Sequence, residues 1–174
     1  MHGADVVTVT HPGEHAGAAA DAAVTDQPHC VLAVRTADCV PVVLVGARTV
    51  GVVHAGWNGL LRGVVDRAVA AVEALDDHPV AAHLGPCIRA GCYEFDGPER
   101  EALSDRFGTA VAATTTWGTP ALDLPAGVHA ALAEAGVTNV GDASGCTACD
   151  RRWYSHRARG ELERFVTTAW LEDA

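Results

Sequence analysis

The sequence contains no lysine, and all 12 of its basic side chains are arginine. This absence excludes a Schiff-base lysine, a lysine general base and the lysine of a phosphate-binding P-loop. With 22 acidic residues the net charge is −10, and a field of that sign repels the phosphates of DNA and RNA. We therefore expect no nucleic-acid partner, although a local group of arginines would still bind a small anion.

Long apolar runs and a targeting segment are also missing. The longest apolar run covers residues 39–45, far short of the roughly 20 residues that cross a bilayer. The first residues have neither the basic nor the apolar region of a secretory signal, and the six cysteines are too widely spread for a disulfide scaffold. These features predict a cytoplasmic protein without a membrane partner.

Strands and helices are predicted to interleave along the chain. Short valine-rich runs bounded by Gly, Pro or Asp are typical of strands buried on both faces, and they cover 6–9, 31–34, 40–45 and 50–53. Helical spacing of apolar residues predicts a helix over 59–75. A proline near the first turn indicates a helix over 98–107, and a closing glycine indicates one over 125–135. Further strands are predicted at 80–84 and 164–171. The Ala- and Gly-rich tract 14–23 is either a loop or a short helix. One layered α/β or α+β domain over 1–174 is expected.

A cysteine and two histidines lie where strands begin or end. Cys39 lies at a strand junction, His54 ends the fourth valine-rich strand, and His2 precedes the first. Strand ends are common positions for reactive groups, and three such ligands with an open fourth position are typical of catalytic zinc. The ordinary alternatives stay open: a small core hydrophobe, a hydrogen-bonded structural histidine and an exposed terminal residue.

The other cysteines and the arginines near the end of the sequence give weaker indications of function than the three candidate zinc ligands. Cys146 and Cys149 form a CxxC without a second pair, which disfavours structural zinc, while Cys87 and Cys92 flank a Gly/Pro turn and would either pair or ligate. A group of charged residues near the end is either a solvated face or an anion site that grips phosphate, and it consists of Arg151, Arg152, His156, Arg157 and Arg159.

Short motifs follow one another along the whole chain in a distinctive order. They are HGADV (2–6), ADAAVTD (20–26), TADCVPV (36–42), HAGW (54–57), GPCI (85–88), CYE (92–94), LDL (122–124), CT (146–147) and YSHR (154–157). In content and order they resemble the YfiH/laccase-domain family, whose members are named both polyphenol oxidase and purine nucleoside phosphorylase. The family's fold is layered, with mixed sheets packed against helices.

The resemblance implies an active-site zinc held by His2, Cys39 and His54. It also implies phosphorolysis of adenosine, inosine and methylthioadenosine to the free base and ribose 1-phosphate, together with deamination of adenosine. Purine nucleoside and phosphate are then the partners. Dimers are common in the family, so a homodimer is an open alternative. Oxidation of phenols with Cu²⁺ ranks second, because multicopper oxidation requires several histidine-rich centres.

Further roles follow from this chemistry. Arg157, together with Arg159 or Arg164, would neutralise phosphate. Asp38 and Glu94 are candidate acid/base groups, or residues that orient a ligand. Two aromatic residues would either stack on the purine or belong to the core, namely Trp57 and Tyr93.

The chain departs from the family pattern at three places. Asn58 stands where an arginine usually follows HAGW, Glu163 precedes Arg164 where glycine is usual, and the segment that usually precedes His2 is expected to be missing. Two alternatives from other classes therefore remain. One is a hydrolase or deamidase with Cys39 as nucleophile and His54 as base. The other is a zinc- or nucleoside-binding protein without turnover.

Overall fold

The computed structural model describes residues 2–76, 78 and 80–173. The strands of this part of the chain are β1 (Val6–Thr8), β2 (Ala22–Thr25), β3 (Leu32–Thr36), β4 (Val40–Val45), β5 (Val50–Ala55), β6 (Ala81–Leu84), β7 (Ala112–Thr114), β8 (Pro120–Leu122), β9 (Asn139–Asp142) and β10 (Phe165–Ala169). Its α-helices are α1 (Trp57–Leu61), α2 (Val64–Glu73), α3 (Pro98–Phe107), α4 (Leu124–Glu134) and α5 (His156–Arg159), and 3₁₀ turns cover Ala90–Cys92 and Thr109–Val111.

A mixed six-stranded sheet forms the centre, in the order β1-β2-β5-β4-β6-β9. The outer pairs β1–β2 and β6–β9 are parallel, and the inner pairs are antiparallel. Two-stranded sheets are formed by β3 with β10 and by β7 with β8. Helices pack on these mixed sheets, so the predicted layered fold is confirmed.

The two faces of β5 belong to different apolar clusters. Val53 and Ala55 pack in the larger cluster with α1, α2 and α4, whereas Val50 and Val52 pack in a smaller cluster with β3 and β10. Burial of apolar area is the main stabilising contribution to such a fold, at roughly 25 cal/mol per Å². Because each face of β5 is covered, the molecule has three layers: the helices, the central sheet and the two-stranded sheet of β3 and β10. β4 and β5 lie in the middle.

Three local predictions need correction. The predicted helix over 59–75 is two helices, because Gly63 adopts a left-handed conformation (φ 77°) between α1 and α2. The tract 14–23 ends in β2, which Val24 and Thr25 extend as a buried central strand. Burial of β3 on both faces is wrong, since Ala33 and Arg35 point to solvent.

None of the helices within the described ranges combines the length and the apolar character that a membrane crossing requires.

Candidate metal centre and adjoining cavity

Strand pairing brings two of the three candidate ligands together. In the β4–β5 pair, Val40 lies opposite Ala55 and Pro41 opposite His54. Cys39 directly precedes β4, so it comes to the same end of the sheet as His54 although 15 residues separate them in the chain. His2 completes the group, and the ligand atoms of the three residues all lie within 4.8 Å of one another.

Gly56 leaves the space that this group needs. A Cβ at this position would lie 3.0 Å from Cδ2 of His2 and 3.1 Å from Sγ of Cys39. Both distances are tighter than ordinary carbon contacts, and neither ring nor thiol can move without leaving the group. The HAGW motif therefore needs a glycine here because the His2 and Cys39 side chains come so close. Its backbone conformation is extended and does not require glycine.

Asp21 and Asn58 hold the ligands in place. The buried carboxylate of Asp21 accepts hydrogen bonds from the backbone N–H groups of His2 (3.0 Å) and Gly3 (2.9 Å), and its Oδ1 lies 3.3 Å from Nδ1 of His54. The Asn58 amide donates to the carbonyl of His2 at 2.7 Å. A carboxylate behind a histidine fixes its tautomer and leaves the other ring nitrogen free for a metal.

Sequence reasoning missed the role of Asp21. It belongs to the quoted ADAAVTD motif, but the tract around it gave no strand signal. The signal that could have found it is a single acidic residue beside an apolar stretch, because a carboxylate that is buried needs hydrogen-bond donors. Asn58 was noted as a departure from the family pattern, and the structure gives it a contact with the main chain of His2.

Burial favours the uncharged forms of Cys39 and His54. It raises the pKa of the Cys39 thiol to about 12, and the neighbouring Asp38 carboxylate adds to this effect. Burial also lowers the pKa of His54, and it outweighs the opposing effect of the hydrogen bond that the ring donates to Asp21. A neutral imidazole is the form that binds metals, and a bound cation deprotonates a coordinating thiol. One thiol and two imidazoles thus fit a transition-metal ion.

A cavity of about 500 Å³ lies in the same part of the molecule, lined by Cys92, Glu94, Trp117, Ala148, Arg157 and Ala158. The Glu94 carboxylate accepts hydrogen bonds from the indole of Trp117 (3.0 Å) and the hydroxyl of Thr119 (2.9 Å), which lower its pKa. The Arg157 guanidinium donates to the Glu94 carbonyl at 2.6 Å and lies 4.8 Å from the centre of the Tyr93 ring. The cavity therefore presents one fixed cation and one ionised carboxylate.

Asp38 connects the cavity wall with the start of β4, next to Cys39. Its buried carboxylate accepts three hydrogen bonds of 2.7 Å, from the hydroxyls of Thr147 and Ser155 and from the backbone N–H of Arg157. Its backbone is left-handed (φ 89°), which is uncommon for a residue other than glycine. With these three donors in place, the Asp38 carboxylate is suited to holding the segment that carries Arg157 in position.

The late arginines do not converge on one anion. Of the four, Arg157 lines the cavity, whereas Arg159 donates to the carbonyls of Thr147, Ala148 and Trp153. Arg152 pairs with Asp150 at the surface.

The predicted stacking residues lie in an aromatic cluster. The rings of Trp57 and Tyr93 lie 5.7 Å and 5.5 Å from the ring of Phe95, in tilted arrangements. Tyr93 is buried, and burial raises its pKa to about 12 against the opposing charge of Arg157. Tyr93 therefore belongs to the core and contacts Arg157 of the cavity wall.

Comparisons of the chain with known proteins find a family model and several named relatives. A sequence model of the family described as multi-copper polyphenol oxidoreductase laccase matches residues 1–172. The chain is 41% identical over 181 residues to purine nucleoside phosphorylase ORF3 of Streptomyces griseus, covering 99% of this chain and 72% of that protein. It is 38% identical over 177 residues to a purine nucleoside phosphorylase of Streptomyces coelicolor, covering 99% and 73%.

Two solved structures have a similar fold. The hypothetical protein YfiH of Bacillus licheniformis matches with a TM-score of 0.88 and 28% identity, over 99% of this chain and 72% of that one. YlmD of Geobacillus stearothermophilus matches with a TM-score of 0.85 and 30% identity, over 99% and 71%.

Proposed function

Because the chain belongs to the multi-copper polyphenol oxidoreductase laccase family, we propose that it is a zinc-dependent purine nucleoside phosphorylase. It would convert adenosine, inosine and methylthioadenosine to the free base and ribose 1-phosphate, and deaminate adenosine. The observation that carries the proposal is the convergence of His2, Cys39 and His54 within 4.8 Å in a chain whose relatives are named purine nucleoside phosphorylase.

The three converging side chains would hold the zinc ion. An ion bound by three protein ligands keeps an open position and supplies Lewis-acid polarisation there. Asp21 orients His54 through Nδ1, so that Nε2 carries the free lone pair. Asn58 and Asp21 together hold the main chain of His2, which fixes the position of this ligand.

We assign the binding of phosphate to Arg157. One guanidinium N–H donates to the Glu94 carbonyl, and the remaining donors of this five-donor group would bind a phosphate that enters the cavity. The Tyr93 ring beneath the guanidinium fixes its plane. Because its backbone N–H is held by Asp38, the side chain starts from a defined position.

Glu94 and Asp38 act without donating a proton. Hydrogen bonds from Trp117 and Thr119 lower the pKa of Glu94, so it is ionised at neutral pH and accepts hydrogen bonds from the hydroxyls of a ribose. Asp38 is saturated by donors from the segment that carries Arg157, and we assign it the positioning of that segment.

Copper-dependent oxidation of phenols is the second candidate, and the description of the family favours it. Within the described residues, however, the second group of metal-ligand residues consists of Cys92, Cys146 and Cys149 and contains no histidine. A multicopper oxidase needs several imidazole-rich centres, so we rank this activity second.

A Cys–His hydrolase ranks behind both activities. Burial raises the pKa of Cys39 to about 12 and lowers that of His54, so the nucleophilic thiolate is scarce without a cation. Inactivation by thiol alkylation but not by chelators would support this third activity against our proposal.

The test is to incubate the purified protein with adenosine, with and without phosphate, while bound zinc is measured by elemental analysis. We expect stoichiometric zinc, adenine released only with phosphate, and inosine formed without it. Cys39→Ala removes a ligand of this group, so the zinc bound at this group should be lost and turnover should fall by roughly 100-fold or more. Cys30→Ala is the matched control, because Cys30 is buried in the smaller apolar cluster.

Two results would overturn the proposal. One is full activity in a metal-free Cys39→Ala protein, and the other is a zinc-loaded wild type that releases no purine base from any of the three nucleosides. Activity on phenols with copper would then favour the second candidate.

A further inference from the structure

A second group of sulfur atoms lies outside the candidate metal centre. The Sγ atoms of Cys92, Cys146 and Cys149 all lie within 4.8 Å of one another, and those of Cys92 and Cys149 are 3.2 Å apart. Cys92 ends the 3₁₀ turn Ala90–Cys92, and the other two belong to the turn that follows β9. The CxxC thus has its third partner more than fifty residues upstream, as a single cysteine, where a search for a second pair would not find it.

The turn presents main-chain donors to one sulfur. The backbone amides of Arg89, Cys149 and Ala148 donate hydrogen bonds to the Cys146 sulfur. Amide donors directed at a sulfur stabilise a metal-bound thiolate. The turn is therefore folded around this sulfur.

Side chains and strand-like bonds brace this turn. Arg159 donates to the carbonyls of Thr147 (3.2 Å) and Ala148 (3.0 Å). Backbone bonds join Cys87 to Gly145 (3.2 Å) and Thr147 to Cys87 (3.0 Å). A site held by such contacts needs little rearrangement to accept an ion.

We propose that Cys92, Cys146 and Cys149 form a second metal site, which binds a thiophilic closed-shell cation, Zn²⁺ or Cu(I), through three sulfur ligands. Thiolate-only sets favour these soft ions over Mg²⁺ or Ca²⁺. Ligation replaces the protons of those thiols that are still protonated, and these protons pass to solvent. No atom of the His2, Cys39 and His54 group takes part.

The site would connect two walls of the cavity. Cys92 lines the cavity and is two residues from Glu94, whereas Ala148 lines it from the CxxC turn. An ion shared by Cys92 and the turn would fix the distance between these segments. Its role is therefore structural support of the cavity, and metal binding can be measured without any turnover.

Cobalt(II) distinguishes the two sites, because its thiolate charge-transfer absorption grows with the number of sulfur ligands. Metal-free, reduced protein is titrated with Co²⁺ under nitrogen. We expect two equivalents in the wild type. Cys39→Ala should retain one equivalent with strong, three-sulfur absorption, and Cys149→Ser should retain one with weak, single-sulfur absorption. Cys149 is exposed, so its replacement is compatible with folding, and Cys30→Ala is the control that should keep both equivalents.

Competition then identifies the ion. Zn²⁺ and Cu(I) are added to the cobalt-loaded Cys39→Ala protein, and displacement of the strong absorption by either ion supports the site and shows which ion it prefers. The proposal is overturned if the wild type binds a single equivalent that Cys39→Ala abolishes, or if Cys149→Ser leaves the absorption of the wild type unchanged. Activity on nucleosides enters none of these readouts, so failure here is distinct from failure of the proposed function.

Discussion

At the scale of single residues, the space beside Gly56 decides whether the candidate metal group can assemble. Replacing it with alanine would place a methyl group 3.0 Å from the His2 ring and 3.1 Å from the Cys39 sulfur. We expect Gly56→Ala to lower the zinc content by about one equivalent per chain while the cooperative unfolding transition is retained, since the backbone at this position suits alanine. Elemental analysis and thermal unfolding measure the two effects.

Gly127→Ala in α4 is the matched control for this substitution. Its Cβ would approach the Cδ1 atom of Leu60 at 3.2 Å, a similar crowding against a movable side chain away from both groups of candidate metal ligands. If both variants keep full zinc, the space beside Gly56 is not what the ligands require.

The residues of the candidate metal site could be predicted from the sequence only in part. Cys39 and His54 stood out because each lies at the end of an apolar strand. Asp21 and Asn58 did not, because their contacts with His2 and with the His54 ring form only when the chain before β1 meets the end of β5. Such partners depend on tertiary placement, which local patterns do not contain.

At the scale of elements, Arg89 joins the loop after β6 to the end of β9. Its guanidinium forms two hydrogen bonds with Asp142, at 2.8 and 2.5 Å. These bonds lower the pKa of Asp142 from 3.8 to about 2. The pKa is lower in the folded state, so the stabilisation is complete above pH 3.8 and is lost as the pH falls through about 2.

The matching experiment compares the wild type with Asp142→Asn by urea unfolding between pH 7 and pH 2. We expect the variant to be less stable at neutral pH by about 1 kcal/mol, and the difference to disappear towards pH 2. The exposed Asp105→Asn in α3 serves as control. A difference that is independent of pH would contradict the role of the Asp142 charge.

Elements marked by an apolar run or by a proline were predicted well, and short strands without such a mark were missed. β4 (Val40–Val45) and α3 (Pro98–Phe107) have the predicted bounds, because an apolar run and a proline at the first helical turn define them. β2 and β9 have only four residues each, and the Ala residues of β2 and the Asn, Gly and Asp of β9 carry little β preference. Their pairing with β5 and β6 makes them strands.

At the scale of the whole molecule, Asp38 connects the beginning of β4 with the last quarter of the chain. Asp38→Asn keeps a residue type that tolerates the left-handed backbone, but it places an amide NH₂ group against one of the three donors. We expect the free energy of unfolding to fall by about 2 kcal/mol, measured in urea, and phosphate-dependent turnover to fall with it.

Ser155→Ala is the graded control, because it removes one of the three donors and should cost less stability than Asp38→Asn. An unchanged urea midpoint in Asp38→Asn would show that the segment from Thr147 to Arg157 is held by other contacts.

The three bonds to Asp38 also have a consequence for synthesis. They span 109, 117 and 119 residues of sequence, and contacts of such separation form late. His2, Cys39 and His54, by contrast, all lie within the first third of the chain, together with Asp21, Gly56 and Asn58. A nascent chain emerging from the ribosome in that order presents all three candidate ligands before Arg157 has been translated. An ion that they bind would then be in place before the segment that carries Arg157 completes the cavity.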